Sequence, residues 1–129
     1  MKIPDKDANI EKYLEELKIL VKQDWFEVDL ERGKNKVFMN KYGLRHNDTK
    51  SILLSLSPED FIERILTENT KYNSEYLYIF KRNMILDDIE NEDDGFESEI
   101  MVKVYIKTSI PDGDAYKTMI VVSFHEDEI

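Results

Sequence analysis

The hydrophobic period of this chain changes once, near Glu75, and that change constrains the fold more than any other feature. Before it, Ile10, Tyr13, Leu14, Leu17, Leu20 and Val21 recur at the spacing that lines one face of a helix. After it, Tyr76, Tyr78 and Phe80 alternate with Leu77 and Ile79. Further on, Val102, Val104 and Ile106 alternate with Lys103, Tyr105 and Lys107. Successive side chains of a strand point to opposite sides, so the aliphatic set shares one face and the basic and phenolic set the other. Helices first and a meander after predict an α+β domain, N-terminal helices packed on a C-terminal antiparallel sheet. A chain of 129 residues is long enough to bury a core as one domain, 1–129.

Local signals divide the first half. Asp5, Asp7 and Asn9 are available as caps for the first helix. Phe26, Val28 and Leu30 alternate with Glu27 and Asp29, which suggests a short extended segment. The Arg32-Gly33-Lys34-Asn35 turn leads to a short helix through Val37, Phe38 and Tyr42, stopped at Gly43. Asn47 or Asp48 can cap a third helix carrying Ile52, Leu53 and Leu56. Ser57-Pro58-Glu59-Asp60 is a further helix-start pattern, predicting a short helix with Phe61, Ile62 and Ile65 inward. Thr67 to Ser74 reads as a loop, residues 86–100 as an acidic hairpin loop, and Pro111-Asp112-Gly113-Asp114 as a turn into a last strand over 117–125.

The net charge of −10 argues against an RNA partner until its distribution is considered. Residues 86–100 carry 8 of the 28 acidic residues and no basic one; without them 20 acids face 18 bases. Residues 32–50 are basic, with Arg32, Lys34, Lys36, Lys41, Arg45 and Lys50 against Asp48. That segment fits an RNA backbone, although a solvated helix face is the commoner meaning of such a run. His46, beside Arg45, reads as a surface residue. Cysteine is absent, which excludes disulfides and thiolate metal sites and fits a reducing cytoplasmic setting. There is no apolar run of membrane-spanning length and no signal-peptide core, so no membrane partner is expected. Glu90, Glu92, Asp94 and Gly95 match the start of a calcium-loop pattern, but its closing glutamate position is Met101, which rules out an EF-hand. A solvated loop is the default for 86–100, and a docking site for a basic partner is the alternative.

Several pieces together resemble one family. Leu14 to Leu20, Gly43-Leu44 followed by Leu53 to Phe61, the Tyr78-Ile79-Phe80 strand, and the closing hairpin with Val104-Tyr105-Ile106-Lys107 and Val121-Val122-Ser123-Phe124-His125-Glu126 are similar to MqsR-type mRNA interferases. These are toxins of toxin–antitoxin modules with a RelE-like fold. The resemblance covers roughly residues 10–129 and follows the order of elements more than identity. It implies an endoribonuclease acting on mRNA, with a cognate antitoxin protein as partner and no cofactor. The family's tyrosine matches Tyr105. Its lysine near the end of the chain falls at His125, another lysine falls at Glu63 with Arg64 adjacent, and a glutamine falls around Tyr78-Ile79.

The residues themselves allow the chemistry the resemblance implies. RNA cleavage without a metal needs a base for the 2′-OH, a cation for the charged phosphorane and an acid for the 5′-oxygen. Histidine titrates near neutrality, so His125 suits the base or acid role. Tyr105 supplies a hydroxyl, and Lys107 and Lys103 share its face to oppose phosphate charge. The candidate catalytic set is therefore Tyr105, His125 and Lys107. The candidate RNA contacts are Lys103, Arg32, Lys34, Arg45, Lys50 and Arg82. No histidine cluster or carboxylate set has ligand spacing, so metal-independent cleavage is expected. The alternative class is a non-enzymatic acidic inhibitor or nucleic-acid mimic, such as a phage anti-CRISPR or anti-defence protein. It is favoured by residues 86–100 with Glu126-Asp127-Glu128 and opposed by the basic 32–50 segment.

Overall fold

A computed structural model of the chain describes residues 9–67, 74–89, 99–112 and 117–128. The first helix, α1, spans Ile10–Lys22, and its N-cap is Asn9, whose side-chain oxygen accepts from the Lys12 amide at 3.1 Å. Leu14, Leu17, Leu20 and Val21 form its buried face, as their spacing requires. A turn through Asp24, at φ 60°, leads into the short strand β1, Phe26–Val28. Helix α2 runs over Gly33–Lys41 and buries Phe38 and Asn35, whereas Val37 is exposed. Helix α3 covers His46–Leu54 and buries Thr49, Ile52 and Leu53. Its N-cap is Arg45 rather than Asn47 or Asp48; Asp48 lies a turn inside the helix and accepts from the Arg45 amide at 2.9 Å.

Gly43, after α2, takes φ 59°, the left-handed conformation that a side chain disfavours. A Cβ there would also stand 3.2 Å from the Ile89 Cδ1. Gly43→Ala is expected to cost about 1 kcal/mol or somewhat more, read as a lowered urea midpoint at constant m-value.

The helix predicted after Ser57-Pro58 does not extend. Pro58–Asp60 is a single 3-10 turn, closed by the Asp60 carboxylate accepting from the Ser57 amide at 2.9 Å. The chain then becomes strand β2, Phe61–Leu66. Phe61, Ile62 and Ile65 satisfy either period over so short a run. Pairing with the next strand decides for the sheet, since β-branched and aromatic residues suit a pleated, half-buried surface. That strand is β3, Tyr76–Asp87, followed by β4, Glu99–Ser109, and β5, Met119–Glu126. Four features expected from sequence involve positions outside the described residues: the caps Asp5 and Asp7, residues 68–73 of the loop, residues 90–98 of the acidic hairpin, and residues 113–114 of the turn.

The five strands lie in the order β1-β5-β4-β3-β2. β2 to β5 pair antiparallel, as the alternation predicts. β1 joins the far edge parallel to β5, with Phe26 opposite Met119 and Val28 opposite Val121, so the sheet is mixed rather than wholly antiparallel. The architecture is α+β. The core lies between the sheet and the helices, where Leu17, Leu53, Phe80, Val104, Ile106, Val121 and Phe124 are all fully buried. Tyr13 crosses this layer, stacking on Tyr78 with centroids 3.6 Å apart and hydrogen-bonding the Thr108 hydroxyl at 2.7 Å. Burial pushes its phenol far above the ordinary value, so it is a neutral structural group.

Beyond β1, the edge of β5 is covered by α2 through one side chain. The Asn35 amide donates to the carbonyls of Asp29 at 2.9 Å and Val122 at 3.0 Å, and its oxygen accepts from the Phe124 amide at 2.8 Å. It offers β5 the donor and acceptor that another strand would have offered. Among the described residues, no helix is long and apolar enough to cross a membrane.

Candidate active site

β4 is the middle strand, and its alternation sends Val102, Val104 and Ile106 into the core and Lys103, Tyr105 and Lys107 to the second face of the sheet. Register then fixes the neighbours of Tyr105. Lys81 of β3 lies opposite it on one side and His125 of β5 on the other. The three side chains form a row across three strands. The Tyr105 and His125 rings stack with centroids 5.2 Å apart and planes within 11°. The Lys81 and Lys107 ammonium groups lie 5.8 and 5.9 Å from the Tyr105 centroid, at the outer reach of a cation–π contact.

Each member has a defined chemical state. The Tyr105 phenol is pushed up, first by burial and then by the carboxylates of Glu63 and Asp127, with Arg32 opposing them. It is therefore a neutral hydroxyl, a donor rather than a base, throughout the neutral range. The His125 Nδ1 lies 2.8 Å from the Glu126 carbonyl oxygen. A carbonyl only accepts, so Nδ1 carries the proton and the neutral ring keeps its lone pair on Nε2. Lys81 forms an ion pair with Asp127 at 3.2 Å, their side chains only 15% and 7% exposed. The Asp127 amide in turn donates to the Lys103 carbonyl at 2.8 Å, which holds the end of the chain against β4.

His125 also borders a cleft of about 390 Å³ between α2 and the end of β5. Lys34, Val37, Phe38 and Lys41 line it from the helix, and His125 and the three residues after it line it from the strand. Lys34 pairs with Glu128 at 2.9 Å and Lys41 with Glu126 at 3.4 Å. Glu126 also accepts from the Tyr42 hydroxyl, whose proton is held by burial and then by that carboxylate.

The residues expected to matter fall into two groups. Tyr105, His125 and Lys107 are together, with Lys103 on the same face. Arg32 is the N-cap of α2 and acts electrostatically on Tyr105, and Lys34 lies at the cleft. Arg45, Lys50 and Arg82 belong to the helical side of the sheet. Lys50 donates to Asp24 at 2.9 Å and to the Lys22 carbonyl at 3.2 Å, which ties α3 to the end of α1. Arg82 donates to the Ser55 hydroxyl at 2.6 Å and to its carbonyl, fixing the end of α3. His46 is half exposed, stacks on Phe26 and pairs with Asp24.

Glu63 faces the same side as Tyr105, through its pairing with Ile79. Arg64 points the other way, its guanidinium 3.9 Å over the Tyr76 ring, so it does not restore a cation at that place. Sequence reading missed Lys81, and it counted Asp127 only within the acidic Glu126-Asp127-Glu128 run, not as the partner of Lys81 beside Tyr105. Lys81 shares parity with Leu77 and Ile79, which was the available signal; no local pattern pairs Asp127 with it. Among the described residues, no three histidine or carboxylate side chains gather to hold a metal ion. Comparison of the chain with protein-family models, curated protein sequences and solved structures finds no match to any of them.

Proposed function

We propose that this protein is a metal-independent endoribonuclease that cleaves mRNA and acts in the cytoplasm as the toxin of a toxin–antitoxin module. The single observation that carries the reading is the stacked Tyr105–His125 pair in a row with Lys81 and beside Lys107. The His125 Nε2 takes the proton of a ribose 2′-OH, and the freed oxygen attacks the adjacent phosphorus. Lys107 stabilises the charge that accumulates on the phosphorane oxygens. The 5′-oxygen leaves with the Tyr105 proton; even a phenol of raised pKa is a stronger acid than the departing alcohol. The products are a 2′,3′-cyclic phosphate and a 5′-hydroxyl. The toxin assignment rests on the resemblance to the MqsR-type family, which also supplies the expectation of a cognate antitoxin.

Incubating the pure protein with a defined RNA in the presence of EDTA tests the reading. Cleavage is expected to persist and to leave cyclic phosphate ends. Activity abolished by the chelator and restored by a divalent ion, or products with 3′-hydroxyls, would overturn the mechanism. A second reading, the non-enzymatic acidic inhibitor, draws on the carboxylates of Glu126, Asp127 and Glu128, which already neutralise Lys41, Lys81 and Lys34. Induced expression in a bacterium separates the two. Growth arrest with loss of mRNA supports the nuclease, and harmless high-level expression, with no cleavage of any RNA alone or with ribosomes, supports the inhibitor.

A further inference from the structure

Three consecutive carboxylates each hold a lysine around the cleft beside His125, and they differ in how firmly they do so. Asp127 and Lys81 are largely buried together, so separating them would strand a charge in a poorly solvated place. Glu126 is held twice, by Lys41 and by the Tyr42 hydroxyl. Glu128 and Lys34 meet at 2.9 Å, but their side chains are 60% and 63% exposed. A pair so well solvated contributes little and exchanges readily with other ions.

Lys34 lies in the first turn of α2, next to Arg32 at the N-cap, and that turn contains no acidic residue. The dipole of a nine-residue helix adds its own attraction for an anion there. The cleft beside it has room for part of a nucleotide. We propose that Glu128 is a built-in competitor for phosphate: single-stranded RNA entering the cleft displaces this carboxylate and takes Lys34, while Glu126 and Asp127 stay in place. The proposal rests on the nuclease reading for the identity of the polyanion, and it adds a graded gate to that site. Of the three paired lysines, Lys34 is the one whose partner costs least to displace, so an incoming phosphate takes it first and leaves Lys41 and Lys81 paired.

The test is a double-mutant cycle on the whole chain, read as affinity for a short single-stranded 2′-O-methyl RNA, which lacks the attacking hydroxyl. Glu128→Gln is expected to tighten binding about threefold at low salt, the scale of an exposed ion pair. Glu11→Gln, on the exposed face of α1, controls for net charge and is expected to change it far less. Lys34→Gln is expected to weaken binding about threefold and to flatten the salt dependence by about 0.7 in slope, one phosphate's worth on a single strand. The double variant should match Lys34→Gln alone, since the carboxylate then has nothing to mask.

An additive cycle, a Glu128→Gln effect no larger than that of Glu11→Gln, or no binding by the wild type at low salt would each overturn the proposal. The outcome is separable from that of the nuclease reading. A cycle that behaves as expected while unmodified RNA is never cut sinks the nuclease and leaves an RNA-binding cleft. Cleavage with an additive cycle sinks the gate alone.

Discussion

His125→Ala and Tyr105→Phe are each expected to lower single-turnover RNA cleavage by about a hundredfold, the usual scale for losing a positioned acid or base. Neither change opens a core cavity, because neither side chain belongs to the apolar core between the sheet and the helices. Circular dichroism and the urea midpoint should therefore stay close to those of the wild type. The two losses should combine to less than their product, since a base without its acid has little left to assist. The raised Tyr105 phenol adds a signature in pH. In the proposed acid role it must be protonated, so the alkaline loss of rate should begin above the ordinary phenol range and should disappear in Tyr105→Phe. Unchanged cleavage by the double variant would remove both residues from the mechanism.

The largest expected loss of stability is at Asn35. The side chain is fully buried and makes three hydrogen bonds, two of them to β5. Asn35→Ala leaves the Val122 carbonyl and the Phe124 amide without partners in a place water does not reach. At about 1–3 kcal/mol for each orphaned group, a loss of about 3 kcal/mol is expected. In a domain of this size that corresponds to a melting temperature lower by roughly 10 °C. Asn35→Asp is the sharper variant. It keeps the acceptor for Phe124 but turns a carboxylate toward two carbonyl oxygens, so it should be at least as damaging despite its nearly identical shape. A midpoint within error of the wild type for either variant would refute this account of the β5 edge.

The parts of the fold that were legible in sequence are those where one period runs long enough to exclude the other. Ile10 to Lys22 and Val102 to Lys107 are such runs, and the latter placed Tyr105, Lys103 and Lys107 on one face correctly. Phe61 to Leu66 was not legible, because six residues with Phe61, Ile62 and Ile65 suit a helix or a strand equally. Pairing with β3, a non-local fact, decided between them. The parallel attachment of β1 was invisible for the same reason, as no local pattern specifies which edge a three-residue strand joins. The basic segment 32–50 looked continuous along the chain, but folding divides it. Arg32 and Lys34 go to the site, while Lys50 is drawn to Asp24 and the end of α1. The Lys81–Asp127 pair was hidden because its partners lie far apart in sequence, and opposite charges signal a contact only once the register is known.

The position of β5 in the sheet has a consequence for the order of events during synthesis. The strand made last stands second in the sheet, enclosed by β1, made first, and β4. Until residues 119–126 have left the ribosomal tunnel, β1 has no strand to pair with, α2 has no edge to cover and Asn35 lacks two of its three hydrogen-bond partners. The imidazole of His125 arrives on that same strand. The step that closes the sheet between β1 and β4 is therefore the step that brings His125 beside Tyr105, so the row across three strands assembles only as the sheet is completed.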